Sequence, residues 1–397
     1  MGIDFWDQSN PTNRILLGAL GSLTGALVLW LLRLSWVWLK SRNTRLKKLK
    51  TEISSLKGEL GTLQKRLHGA EKAVEGDGLW LARPLVQPDH YAVLLQQSIP
   101  IITVANLKGG VGKTTLTAHL ARFYAGIGKR VLAIDLDYQG SLSNLAAQGD
   151  VPSSRVSNFV AGEFNGPNIN ELAWPMENAP GYARILTSYY ELARIENQVL
   201  VHWLTQREER DARYFLAAAL LTQDVQESYD IILIDAAPRI TTSTVQALCT
   251  STNVLIPTKL DAVSADAVGY FVEQLFIMEK LWPFLNLAGV VGTMTENNIG
   301  ALSEASDRRD PMIDFEQDAI FRIQQRLDST YDAYSKSQPP SLILPHTTFI
   351  PGKRDISRLA NEQFSEASDV SPANRLVIEA AFDRLGRELA NRVNLQI

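Results

Sequence analysis

The hydrophobic period of the chain changes several times along its length, and each change marks a different kind of element. From Ile15 to Leu32 eighteen residues pass without a charge, and after Arg33 the apolar character resumes through Leu39. At about 1.5 Å per residue such a helix crosses a hydrocarbon layer of roughly 30 Å, with Arg33 snorkelling to the nearer surface. Trp30, Trp36 and Trp38 near one end, and Phe5 and Trp6 before the other, fit interfacial aromatic belts. Alternating steps of three and four then carry Leu46, Leu49, Ile53, Leu56, Leu60, Leu63, Leu67, Ala70 and Val74. This is a coiled-coil seam, with Leu46, Ile53, Leu60, Leu67 and Val74 at a. Glu52 facing Lys57, and Arg66 facing Glu71, suit a parallel partner, while Gly58, Gly61 and Gly69 weaken the helix. The mixed stretch from Gly76, with Pro84 and Pro88, reads as a linker. Beyond Ile101, short apolar runs ending in Asp or Gly alternate with helical stretches, the pattern of an α/β domain.

The predicted organisation is therefore an extracytoplasmic start at 1–14, a transmembrane helix at 15–39, and a basic juxtamembrane segment and coiled coil at 40–75. A linker at 76–99 leads into an α/β domain at 100–397, a mostly parallel twisted sheet flanked by helices. No later stretch is long enough to span a membrane, which predicts a single pass.

Composition sharpens this picture. With 45% hydrophobic and 21% charged residues the chain can bury a core, which excludes a wholly disordered or fibrous protein. One cysteine, Cys249, excludes an internal disulfide framework, and five scattered histidines make no structural zinc cluster. Residues 1–50 carry a net +6, so the −4 of the whole chain leaves −10 on the remainder, which nucleic acid should repel overall. Six bases lie between Lys40 and Lys50, against Arg14 alone before the span. The positive-inside rule then places the start outside and everything after residue 40 in the cytoplasm. The start is not basic and the apolar run is long, which argues against a cleaved signal peptide. Trp6 stands where a myristoylation site needs Ser or Thr.

The candidate chemistry begins after the apolar run Ile101–Ala105, with Lys108, Gly109, Gly110, Val111, Gly112, Lys113, Thr114 and Thr115, followed by a helical stretch. Strand, glycine loop and helix form the context in which main-chain N–H groups converge on phosphate, aided by the helix N-terminus. Lys113 is placed to reach the β- and γ-phosphates, and the Thr114 hydroxyl to ligate Mg²⁺. Two further apolar runs, Val131–Asp137 and Ile231–Pro238, deliver Asp135, Asp137 and Asp235 toward strand ends, where ligands sit in open α/β sheets. Such carboxylates can hold Mg²⁺ and orient an attacking water.

The runs KGGVGKTT, AIDLDYQGSLS and ILIDAAP resemble the deviant Walker A, Walker A′ and Walker B motifs of the ParA/MinD family of P-loop ATPases. NVLIPTKLDAVSADAVG, GVVGTMTE and TTFIPGKRDISRLA are similar to later segments of that family; the likeness covers about residues 100–397, more weakly at 151–225 and 296–346. The resemblance implies ATP and Mg²⁺ as ligands and a homodimer with ATP sandwiched between its ATPase domains. It makes Lys108 the signature lysine that reaches phosphates bound by the opposite subunit. Lys113, Thr114 and Thr115 would bind phosphates and metal, Asp137 would position the hydrolytic water, Asp135 and Asp235 would support Mg²⁺, and Met294 and Pro351 would border adenine. Tyr138 stands where the family usually has Pro, and Ala236 where Thr is common.

The predicted function is a membrane-anchored, ATP-hydrolysing dimeric switch that recruits, positions or regulates a partner protein, the effector being unidentified. A tethered dimer already has a high effective concentration, so ATP is expected to change its shape rather than create it. One alternative is a DNA-partitioning ATPase, for which Lys353, Arg354, Arg358, Arg375, Arg384, Arg387 and Arg392 supply a basic patch against the acidic balance. Another is a bacterial tyrosine kinase, whose terminal tyrosine cluster is missing from ELANRVNLQI. Between the motifs, Ile313, Ile320, Ile323 and Leu327 recur at helical spacing and predict one amphipathic helix.

Overall fold

The computed structural model describes residues 11–74, 78–147, 153–177, 179–295, 314–337, 341–352, 356 and 372–397. The chain divides into two units, Met1–Lys72 and Ala73–Ile397. The expected belt residues Phe5 and Trp6 lie outside the described residues.

In the first unit the apolar span and the heptads form one continuous helix, Pro11–Val74. Its apolar window is long enough to cross a membrane and none of it is buried. The polar atoms inside that window are satisfied within the helix: the Ser22 hydroxyl donates to the Ala19 carbonyl at 2.8 Å and Thr24 to that of Leu20 at 3.0 Å. At the end of the span Lys40 lies over the Trp36 ring and Arg42 over Trp38, with charge-to-centroid distances of 5.0 and 5.2 Å. The seam residues from Leu46 to Leu67 are exposed along the helix.

The second unit is built on one eight-stranded sheet in the order β3-β4-β2-β5-β1-β6-β7-β8. The strands are β1 (Ile101–Val104), β2 (Val131–Leu136), β3 (Trp174–Pro175), β4 (Ala183–Leu186), β5 (Ile231–Ala236), β6 (Asn253–Lys259), β7 (Asn286–Thr295) and β8 (Ile350–Pro351). All pairings are parallel except β3 with β4. β1, β2 and β5 are buried at every position, which is why they read as unbroken apolar runs instead of alternating ones.

Right-handed crossovers place helices by the direction of travel. The chain leaves β1 toward β2 through helix Lys113–Gly126, but passes from β5 across β1 to β6 through helix Thr242–Thr250, so the two helices cover opposite faces. That reversal opens a crevice at the carboxyl ends of β1, β2 and β5. Helix Asp314–Ala333 confirms the amphipathic expectation: Ile323 and Leu327 are buried, Ile320 is partly buried, and the helix packs on Ala262–Ile277. Ile313 lies outside the described residues.

The expected linker is, from residue 78 onward, a folded strap. Trp80, Tyr91 and Leu95 are buried in the core of the second unit, with the Trp80 ring stacked on Trp203 at 5.9 Å. Arg213 donates to the carbonyls of Trp80 at 2.6 Å and Pro84 at 2.8 Å, and is itself paired with Asp211. The stretch with Pro84 is not a free linker: it is packed because a buried guanidinium collects its carbonyls.

Candidate nucleotide site

β1 ends at Val104, and the loop that follows is held at its base by Asn106. Its side-chain amide donates to the Pro257 carbonyl at 2.8 Å, and its Oδ1 accepts the Lys108 N–H at 2.9 Å. Gly110 and Gly112 have φ of 69° and 84°, a left-handed region that costs glycine little. Gly112 is the N-cap of helix Lys113–Gly126 and no side chain caps it, so the first-turn N–H groups face the loop concavity.

Around this concavity is a cleft of about 530 Å³, lined among others by Gly109, Lys113, Thr114, Thr115, Asp137 and Asn144. The Lys113 ammonium donates to the Lys108 carbonyl at 3.2 Å. Burial lowers its pKa, an effect that Asp235 and Asp137 partly offset. A second cavity of about 290 Å³ shares Gly112, Thr115 and Met294 with the first and adds Pro351 and Phe382. Met294 and Pro351 thus border a cavity next to the phosphate loop. β7 and β8 put them there, with Thr295 paired to Pro351. Met294 adopts φ 56°, and a Cβ on Gly352 would come within 3.0 Å of its carbonyl oxygen.

The two strand-end carboxylates stand side by side in the sheet, Asp135 in register with Asp235, yet their surroundings differ. The Oδ2 of Asp135 accepts the N–H and the hydroxyl of Ser143, both at 2.8 Å, and its Oδ1 accepts the Asp137 N–H at 3.0 Å. Burial raises its pKa to about 7 despite these bonds. Among the described residues neither buried oxygen of Asp235 meets hydrogen-bond geometry. Burial, and then Asp135, push the Asp235 pKa well up, while the nearby Thr114 hydroxyl and Lys113 pull it down. An orphaned carboxylate beside a hydroxyl is a pair of hard oxygen donors, the kind that suits Mg²⁺ completed by water and phosphate oxygens. Asp235 and Thr114 therefore fit the metal. Asp135 pins the Asp137–Ser143 loop through three hydrogen bonds, which leave one lone pair on Oδ1.

Asp137 is half-buried in the cleft, with its Oδ1 accepting the Gln139 N–H at 3.0 Å. Lys108 is held within its own chain: its ammonium lies 3.3 Å from Asp261 Oδ1 and 2.6 Å from the Ser264 hydroxyl. Sequence reading singled out neither Asn106, Ser143 nor Asp261. Asp261 had a signal in its position, just before a helix whose Ser264 N–H it caps at 2.7 Å.

Sheet order, glycine loop and strand-end carboxylates define a P-loop nucleotide-binding protein. A family model described as an AAA domain matches residues 99–283. Curated relatives include a putative replication protein A of Sinorhizobium fredii, 34% identical over 184 residues, 45% of this chain and 44% of that protein. Sporulation initiation inhibitor protein Soj of Bacillus subtilis is 30% identical over 204 residues, 50% of this chain and 75% of Soj. The chain spans less than half the length of the first curated relatives it matches. Among solved structures, a Cyanothece McdA–ATP complex superposes with a TM-score of 0.55 at 17% identity, covering 76% of this chain and 98% of that one. pNOB8 ParA bound to nonspecific DNA gives 0.50 at 19% identity, covering 75% and 99%. At such identities these structures speak for the fold. The chain belongs to the ParA/MinD family of P-loop ATPases.

Proposed function

We propose that this chain is a membrane-anchored switch that binds and hydrolyses ATP as a homodimer and thereby recruits, positions or regulates a partner protein at the cytoplasmic face of the membrane. The observation that carries the nucleotide part is the Asp235 carboxylate, buried beside the Thr114 hydroxyl and Lys113 at the mouth of a glycine loop, neither oxygen meeting hydrogen-bond geometry among the described residues. The exposed apolar span and seam of helix Pro11–Val74 support the anchor and the parallel pairing.

The loop N–H groups and Lys113 would bind the phosphates, and the Met294–Pro351 pocket the base. Asp137 would accept a hydrogen bond from the attacking water. Mg²⁺, when bound by Thr114 and Asp235, would neutralise charge on the β- and γ-phosphates. Lys108 must first leave Asp261 and Ser264 before it can stabilise charge on a triphosphate held by the opposite subunit.

DNA partitioning is the second reading, since a ParA of the same fold has been solved on nonspecific DNA. The described part of the expected basic patch speaks against it. Arg387 pairs with Asp383 and Arg392 with Glu388, both at hydrogen-bond distance, Arg375 lies 3.5 Å from Glu379, and Arg384 donates to the Thr347 carbonyl. Lys353, Arg354 and Arg358 lie outside the described residues.

The test is ATP turnover by the full chain in lipid nanodiscs, with dimerisation followed by centrifugation. Loss of turnover in Lys108→Ala and in Asp137→Ala, with the dimer kept, is the expected result. Unchanged turnover in both variants overturns the mechanism, and ATP-dependent, salt-sensitive retention of DNA would move partitioning to the front.

A further inference from the structure

Helix Glu191–Leu204 lies in a stretch to which the motifs assign no task, and it makes three contacts along its roughly 20 Å. At its start Tyr190 packs on Tyr138, with ring centroids 5.9 Å apart, and Tyr138 is the residue after Asp137. In its middle Glu196, only 7% exposed, accepts the Ser243 N–H at 2.9 Å and also the Ser243 hydroxyl. That hydroxyl lies 3.3 Å from the carbonyl of Leu136, the residue before Asp137. At its end Trp203 stacks on Trp80 of the strap, and its carbonyl accepts from Arg83 at 2.7 Å.

We propose that this helix is a lever between the strap and the nucleotide site, with Glu196 a positioning residue that holds Asp137 through Ser243 and Leu136. The physical case rests on stiffness. Glu196 accepts two hydrogen bonds from Ser243 at the first turn of helix Thr242–Thr250, which begins a few residues after Asp235, so two bonds fix one residue of that turn to the lever. Leu136 is tied to the lever helix through Ser243 of the neighbouring helix and Tyr138 through Tyr190, so both residues flanking Asp137 are linked to it. That element's far end is clamped by the stretch through which the chain leaves the anchor helix. A displacement of the strap at Trp80 or Arg83 therefore shifts the support under Asp137 without touching phosphate or metal ligands.

The role of Asp137 rests on the proposed ATPase reading, but the lever itself can be tested without turnover. The experiment is amide hydrogen exchange on the nucleotide-free full chain in nanodiscs, comparing wild type with Arg83→Gln, Glu196→Gln and the double variant. The amides of Asp137, Gln139 and Gly140 are each hydrogen-bonded in the loop and so report its opening. About tenfold faster exchange at these amides in both single variants, with β1 unchanged and the double variant no worse than either single, is the expected result. Wild-type protection there, or effects that simply add, overturns the lever. Should Glu196→Gln disturb β1 as well, Ser243→Ala decides by the same criterion. In turnover assays the strap variant should lower kcat with KM within about twofold, since it leaves ground-state contacts intact. A wild-type chain without turnover would refute the ATPase reading and leave the exchange result to judge the lever.

Discussion

Replacing Arg213 by methionine should unfasten the strap. The guanidinium and its partner Asp211 are buried, with side-chain exposures of 1% and 3%. Arg213 donates to Asp211 through Nε at 2.7 Å and Nη2 at 2.6 Å, and to the Trp80 and Pro84 carbonyls at 2.6 and 2.8 Å. Methionine fills the stem but leaves a buried carboxylate with, among the described residues, two backbone N–H donors, those of Val86 and residue 213 itself, and takes the guanidinium from the carbonyls of Trp80, Arg83 and Pro84. Removing one partner of such a pair costs about 3–5 kcal/mol. For a folded unit running from Ala73 to Ile397, unfolding entropy near 60 °C is about 0.7 kcal/mol/K, so the melting temperature should fall by about 4–7 °C. Calorimetry without nucleotide measures this, and limited chymotrypsin digestion should show new cleavage after Trp80, which is buried in the intact strap. Adding Asp211→Ala should recover part of the loss, because the orphaned charge is gone. A shift below about 1 °C with the strap still protected would refute the reasoning.

Burial holds the His119 imidazole down at about 4 from its ordinary 6.5, stacked 4.2 Å from the Phe382 ring. Its contribution is fully present above pH 6.5 and is lost as pH falls toward 4, by up to about 3 kcal/mol, because only the unfolded chain takes the proton in that window. Urea midpoints at pH 7 and 4.5 should converge in His119→Phe, and an equal acid loss in both proteins would contradict this. Asp261→Asn keeps a helix-capping side chain while removing the charge that holds Lys108; for a partly exposed pair worth at most about 1 kcal/mol, turnover should rise up to about fivefold. Slower turnover in that variant would mean the contact helps catalysis. Asp235→Asn should raise nucleotide-free stability at pH 8, since burial and Asp135 disfavour the carboxylate, yet weaken Mg²⁺-dependent nucleotide binding at least about tenfold. Titration calorimetry with and without EDTA decides, and retained metal dependence would remove Asp235 from the metal site.

Much of the architecture was legible locally. β1, β2 and β5 announced themselves because strands buried on both faces need apolar side chains at every position. Gly110 and Gly112 were readable because a loop wrapped around phosphate needs left-handed backbone. The long apolar helix was visible because an uncharged run of that length stands apart from the rest of the chain, and helix Asp314–Ala333 because burying one face imposes a period on Ile320, Ile323 and Leu327.

The site's internal division of labour was not local. Asp135 and Asp235 occur in near-identical apolar runs, and only the arrival of Ser143 at one and of Thr114 and Lys113 at the other separates the carboxylate that holds a loop from the one that faces the phosphate loop. The segment containing Pro84 reads as free chain until Arg213 closes on it from 129 residues away. Glu196 is an unremarkable helix glutamate until Ser243 meets it. Periodicity and backbone requirements are written in neighbouring residues, so the sequence alone determined the elements and the loop. The pairing of buried polar groups links distant parts of the chain, and only the folded packing chose those partners.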